Sequence, residues 1–326
     1  MIEIKFSSLA KRKKLFFIFS ATLVILSSLV VSGLKPVSSD RSPRFFSVKT
    51  GESFQEIITG LGSENLIRSR LAFQALAFIT GAAHRLKPGL YELSPNLSSS
   101  EIISELVRGA EAIEVTIPEG RSIYEVDQIL SDKKIILPGT LISFAAQNPI
   151  EGKLFPDTYK FFAGAPIEGI VSTFVKNFDS RVDPILKREP SKYQTNLILA
   201  SLVQKEVSDF EKQKIVAGIL KKRLKIGMAL QIDSSICYPK KQLHNLEDCY
   251  PITPLDFKID SPYNTYKYKG LPPGPISSPG VSAVQAVLES KSSPYWFYLS
   301  DAKTGITYFA ENLDEHNRNI SAYLKN

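Results

Sequence analysis

Residues 195–210 read TNLILASLVQKEVSDF, and the reading of this stretch sets the architecture of the larger part of the chain. Stepping back three, four and seven residues from Glu206 lands on Val203, Leu202 and Leu199, and stepping forward four lands on Phe210. On an α-helix these positions share one face. Gln204, Lys205, Ser208 and Asp209 fall on the polar side. The pattern predicts a helix from Thr195 with a single carboxyl group, that of Glu206, set into its apolar stripe. Loss of hydration disfavours the ionised form of a carboxyl and raises its pKa. A glutamic acid that keeps its proton near neutral pH can hand it to a leaving oxygen, which is how the acid of lysozyme works. The plainer alternative is a glutamate at the stripe edge that reaches out to water or pairs with a lysine.

Outward toward the N-terminus, residues 15–34 read LFFIFSATLVILSSLVVSGL without a charge. A helix of about twenty residues spans roughly 30 Å, the hydrocarbon thickness of a bilayer. The block Lys11-Arg12-Lys13-Lys14 precedes it, and residues 1–14 carry +4 of the chain's net +7. Basic residues stay on the cytoplasmic side. The sequence therefore predicts a cytoplasmic tail at 1–14, a transmembrane helix at 15–34 and a Ser/Pro linker at 35–44, with the remainder outside the cytoplasmic membrane. A cleaved signal peptide, with Val31-Ser32-Gly33 as the small-residue site, is the competing reading; its apolar region is usually shorter. The rest of the chain carries only +3, so a nucleic-acid interface is not expected.

The 326 residues, 43% apolar and 22% charged, suffice for two folded units. Phe45–Val48 reads as a strand, helices follow with Phe54, Ile57, Ile58 and Leu61 and then Leu71, Phe73, Leu76 and Ile79 as their apolar positions, and Leu90–Leu93 is a second strand. With its F-S-V-K-T-G-E-S opening, this βααβ order resembles a LysM-type module, which binds N-acetylglucosamine-containing glycans; a packing domain without sugar affinity has the same pattern. We assign it to 45–110 and a mixed α+β domain to 111–326. In the latter, Ala112–Ile117 and the end of Gly152–Tyr159 read as strands and Ile167–Arg188 as helical. Tyr295–Leu299 and Ile306–Phe309 read as a hairpin turned by Lys303-Thr304-Gly305.

Cys237 and Cys249 lie in one short polar segment; outside the cytoplasm they form a disulfide or remain two thiols. Among His84, His244 and His316 there is no His-Glu-x-x-His pair, and no metal or cofactor motif occurs. A Gly-x-Ser-x-Gly elbow is absent. Ser131-Asp132-Lys133-Lys134 and Lys303-Thr304-Gly305 match fragments of a penicillin-binding signature, yet no Ser-x-Asn lies between them. Dense Pro and Gly at 261–280 fix a loop, in which Asn264, Thr265 and Tyr266 offer the hydrogen bonds and ring face of a sugar cleft, or simply brace the loop.

Several long motifs in order carry a resemblance: LASLVQKE at 199–206, RLKIGMALQID at 223–233, YNTYKYKGLPPGPISSPG at 263–280, NLDEHN at 312–317, LFPDTY at 154–159 and VTIPEG at 115–120. Together with the single N-terminal span, these resemble the endolytic murein transglycosylase family (MltG/YceG-like). The resemblance implies a lyase that cleaves the β-1,4 bond between N-acetylmuramic acid and N-acetylglucosamine in nascent glycan strands and leaves 1,6-anhydro ends. It implies Glu206 as the lone acid/base and needs no cofactor. It points to peptidoglycan strands, the cytoplasmic membrane and peptidoglycan synthases as partners. Gln231, Asp233, Tyr263, Asn264, Thr265 and Tyr266 are the candidates for holding sugar or the glutamate, and His316 and Asn317 match the terminal motif. Gln204 stands where relatives often have Glu. A non-catalytic, glycan-binding scaffold of the wall-synthesis machinery is the alternative.

Overall fold

Serines mark where the chain enters its first helices. The side chains of Ser53, Ser98 and Ser122 each accept a hydrogen bond from the backbone N–H of a glutamate three residues on, and the carboxylates of Glu56, Glu101 and Glu125 accept one from the serine N–H. Such reciprocal caps satisfy two otherwise orphaned N–H groups, each cap being worth about 1 kcal/mol. A computed structural model describes residues 20, 22, 25, 27–49, 51–109, 112–244, 249–301 and 304–323. The fold is mixed α+β, in two units: residues 1–112 with 162–166, and residues 113–161 with 167–326.

In the first unit, strand β1 (Arg44–Val48) pairs antiparallel with β2 (Gly89–Leu93), Phe46 opposite Tyr91. Between them run α1 (Phe54–Ser63) and α2 (Arg70–Ile79), and α3 (Ser99–Arg108) follows. Phe46, Ile57, Leu61, Phe73, Leu93 and Leu106 share one core. The segment from Phe162 to Pro166 belongs to this unit rather than to its sequence neighbours: the Ala163 carbonyl accepts from Leu90 N at 2.7 Å. Among the described residues no helix is long and apolar enough to cross a membrane; nine of the twenty positions of the expected span at 15–34, and all of the expected tail at 1–14, lie outside the described residues.

The second unit contains all but the first residue of β3 (Ala112–Thr116), α4 (Ile123–Asp132), α5 (Thr140–Ala145), all but the last residue of β4 (Thr158–Phe162), α6 (Ile167–Arg181) and α7 (Asp183–Leu186). Then come α8 (Tyr193–Glu206), α9 (Phe210–Lys225), α10 (Ser234–His244), α11 (Val281–Leu288), the hairpin β5 (Phe297–Ser300) with β6 (Thr307–Ala310), and α12 (Leu313–Tyr323). Strands β3 and β4 share one two-stranded sheet and β5 and β6 another. The helical stretch expected from Ile167 to Arg188 is divided at Val182, because Pro184 stands in the first turn of α7.

Helix α8 is the centre of this unit's core. Every residue from Asn196 to Val203 is buried, so the helix is enclosed on all sides rather than amphipathic, and its apolar side chains pack with Val216, Leu220, Val284 and Val287. Ser201 is fully bonded. Ser201 Oγ donates to Ile198 O at 2.7 Å and accepts from Ile276 N at 3.1 Å, and Ser277 Oγ donates to Ser201 O at 3.0 Å. The Pro/Gly-rich loop is thereby pinned onto the helix that carries Glu206.

Candidate active site

Helix α8 ends at Glu206. Val207 is extended, with φ −149° and ψ 145°, and Asp209 starts α9 by accepting from Lys212 N at 2.9 Å. The expected stripe therefore stops short: Phe210 lies on the next helix. The exit is fixed by buried Gln213, whose Nε2 donates to Val207 O at 3.0 Å while its Oε1 accepts from Ser282 Oγ at 2.9 Å. Glu206 thus sits at a helix C-terminus, where the negative end of the macrodipole disfavours a carboxylate.

The Glu206 side chain enters a cleft of about 870 Å³ lined also by Lys205, Lys212, Arg223, Gln231, Asp233, Tyr266, Tyr298 and His316. Part of the residue meets solvent, but its carboxyl lies deep enough that lost hydration, joined by the nearby Asp233 charge, raises its pKa to about 7. Two hydroxyls limit the rise: Ser234 Oγ donates to Oε1 at 3.0 Å, and the Tyr298 hydroxyl donates to the same carboxyl. The group is half-protonated near neutral pH and held by donors that leave it open to the cleft.

Three of the six sequence candidates join Glu206 there. Gln231 has φ +51°, a left-handed conformation costly for a residue with a side chain. It is held by Gln231 N donating to Thr265 O at 3.2 Å and Ile232 N donating to Thr265 Oγ1 at 3.0 Å. Asp233 accepts the Tyr266 hydroxyl at 2.6 Å and its carbonyl accepts from Ile236 N at the start of α10, so it is both a cleft carboxylate and a helix start. Tyr263, Asn264 and Thr265 do not line the cleft. Asn264 is fully buried, its Nδ2 donating to Phe257 O and Ile259 O and its Oδ1 accepting from Tyr266 N. Tyr263 packs on Tyr238. These three build the loop that presents Tyr266 and Gln231.

Ser234, Arg223 and Tyr298 are further groups beside Glu206 that the sequence did not single out. Arg223 is buried and donates through Nε to Trp296 O at 3.0 Å and through Nη1 to Leu230 O, tying the hairpin to α9 beside the acid. Nothing about Tyr298 within a β-hairpin signals its contact with Glu206; Ser234 directly follows Asp233 and was the more accessible hint. His316 stacks on Phe297 with centroids 5.2 Å apart, and burial lowers its pKa. Gln204 spends both amide atoms away from the acid: Nε2 donates to Glu119 Oε2 at 3.2 Å and Oε1 accepts from Gly280 N at 3.0 Å.

A second carboxyl, Glu151, also has its pKa raised by burial to about 7. It accepts from Ile123 N at 3.1 Å and Gly152 N at 3.2 Å and does not line the cleft. Position, not proton affinity, separates the two. Nearby Glu125, despite its own burial, is held down to about 2 by Lys205, Ser122 N–H and Lys241. Cys237 and Cys249 form a disulfide, which places Tyr250, the next residue, at the cleft rim.

The sequence profile described as YceG-like family matches residues 46–322. The chain belongs to the YceG-like family. A Streptococcus pneumoniae serotype 2 protein named "Endolytic murein transglycosylase" is 29% identical, over 90% of this chain and 61% of its own length. A Bacillus subtilis strain 168 protein of the same name is 28% identical, over 89% of this chain and 88% of its own. The chain thus spans about three-fifths of the streptococcal relative. A crystal structure of a yceG-like protein from Listeria monocytogenes shares 28% identity, covers 85% of this chain and 99% of its own, and superposes with a TM-score of 0.52. The family read from the motifs is the family of the chain.

Proposed function

We propose that this chain is an endolytic lytic transglycosylase that cleaves the MurNAc-β-1,4-GlcNAc bond of peptidoglycan strands, with Glu206 as its only acid/base group. The observation that carries this reading is a carboxyl with pKa about 7 facing an open cleft under two hydroxyl donors. The names of the pneumococcal and Bacillus relatives support the substrate class.

In the proposed reaction the Glu206 proton passes to the glycosidic oxygen as the C1–O bond breaks, releasing the GlcNAc alcohol. The Glu206 carboxylate then takes the proton of the muramyl C6 hydroxyl while that oxygen bonds to C1. The 1,6-anhydro ring closes, Glu206 regains its proton and no water is consumed. Ser234 and Tyr298 stabilise the transient carboxylate, which keeps the pKa close to the working pH at both steps. Arg223, which lines the same cleft and interacts electrostatically with Glu206, adds positive charge there.

The reading also takes residues 15–34 as a single membrane span with the catalytic part outside, and peptidoglycan synthases as partners. The βααβ order of the first unit supports treating it as LysM-like. The test is digestion of purified sacculi: release of anhydro-muropeptides by the parent chain and none by Glu206→Gln supports it. If neither chain digests sacculi while both bind them, the scaffold alternative replaces it.

A further inference from the structure

Helix α2 carries a face that the core of its own unit covers only in part, at Phe78, whose ring meets that of Phe54 edge-on with centroids 5.4 Å apart. Leu71, Phe78 and Ile79 are 79%, 53% and 84% exposed. With Ala75 they occupy helical steps of four, three and one, which is one side of a helix; Ala72, Phe73 and Ala77 are buried on the other. Single exposed apolar residues are ordinary, but a row of them on one element marks an interaction surface.

Two further observations say what covers it. The apolar N-terminal run ends against this helix. Residues 27–33 are helical, and Gly33 approaches α2 so closely that a Cβ there would lie 2.8 Å from Ser69 Cβ and 2.9 Å from Ala72 Cβ. Beyond it, the Leu34 carbonyl accepts from Ser99 N at 3.0 Å, and Arg68 Nη2 donates to Pro36 O at 2.7 Å. Whatever medium surrounds the apolar run therefore reaches the first turn of α2. The charge is also one-sided: from Leu66 to Tyr91 there is no Asp or Glu, while Arg68, Arg70, Arg85 and Lys87 are present. An acid-free, basic stretch that carries an apolar row matches an anionic lipid surface, with apolar side chains at the headgroup–acyl boundary and cations near the headgroups.

We infer that α2 is a membrane-surface helix that seats Leu71, Phe78 and Ile79 in the interfacial layer of an anionic phospholipid bilayer. The inference rests on the reading of 15–34 as a span. Its consequence is that the first unit is held at the lipid surface rather than tethered loosely above it.

The chain's two cysteines are joined to each other, so Ile79→Cys introduces one free thiol for a bimane label. The full chain is reconstituted into nanodiscs containing phosphatidylglycerol and a headgroup-proximal doxyl-lipid quencher. Gln55→Cys, at an exposed polar site of α1, is the control. We expect several-fold stronger quenching at position 79 than at 55, weakened in phosphatidylcholine discs or high salt. Equal, weak quenching at both sites in chains that co-purify with the discs overturns the docked face while leaving the span intact. Failure to co-purify removes the span and the inference together. Shielding of the label by soluble glycan strands but not by lipid assigns the face to sugar instead.

Discussion

Replacing Glu206 by Gln should stabilise the protein, and only at high pH. A carboxyl whose pKa rises from 4.5 to about 7 on folding resists ionisation by about 3 kcal/mol, at roughly 1.4 kcal/mol per pKa unit. The sign follows from proton counting. Between pH 4.5 and 7 the folded state binds more protons at this site than the unfolded chain, so the parent loses stability as pH rises through that window and then levels off. Glutamine preserves the shape and an acceptor for Ser234 but never ionises. The advantage of Glu206→Gln should therefore grow from near zero at about pH 4 to about 3 kcal/mol at about pH 8.5. Trp296, the sole tryptophan, lies in the same unit, and its carbonyl is held by Arg223. Urea denaturation followed by its fluorescence reports on that unit. Glu151 titrates in the same range but is common to both chains and cancels in the difference. A stability difference that stays flat across this pH range would falsify the claim that Glu206 is desolvated.

Three other perturbations probe the surroundings of the acid. Tyr298→Phe removes a donor that favours the carboxylate, so the Glu206 pKa should rise further; the alkaline limb of the pH–rate profile should move upward while neutral-pH turnover falls roughly tenfold, the worth of one hydrogen bond to a charged group. An unmoved profile would mean that the hydroxyl does not tune the acid. Gln204→Glu replaces the amide donor on Glu119 with a second carboxylate and should cost about 1 kcal/mol near neutral pH in this partly exposed site, with recovery in acid; urea midpoints at the two pH values decide it. Replacing both Cys237 and Cys249 by Ser opens a link spanning 12 residues and should cost about 3 kcal/mol; a urea midpoint equal to the parent's would contradict that loop-closure account.

The elements of both units were legible because their punctuation is chemical and local. Ser53, Ser69, Ser98 and Ser122 sit one residue before α1, α2, α3 and α4 and cap them, accepting from the backbone N–H three residues on. The hairpin around Gly305, with φ +68°, followed from turn chemistry in the same way. Glu206 was singled out by an argument that the structure fits only in part: α8 ends at that residue and is buried on every side from Asn196 to Val203, so Phe210 does not belong to its stripe. The carboxyl is desolvated by chain segments distant in sequence, including the hairpin that supplies Tyr298. Asn264 and Thr265 were misleading for a related reason. Polar residues in a Pro/Gly loop serve a buried backbone as readily as a ligand, and only tertiary position separates the uses. The Tyr298 and Arg223 contacts span sequence separations that no periodicity encodes.

The chemical role of Glu206 is tested most directly by the mass of the products released from purified sacculi. The parent chain should release muropeptides ending in 1,6-anhydro-muramic acid, and Glu206→Gln, folded as judged by Trp296 fluorescence, should release none. Equal digestion by the variant would contradict the assignment of the acid. Parent products heavier by about one water, with free reducing ends, would show that water and not the C6 hydroxyl attacks C1.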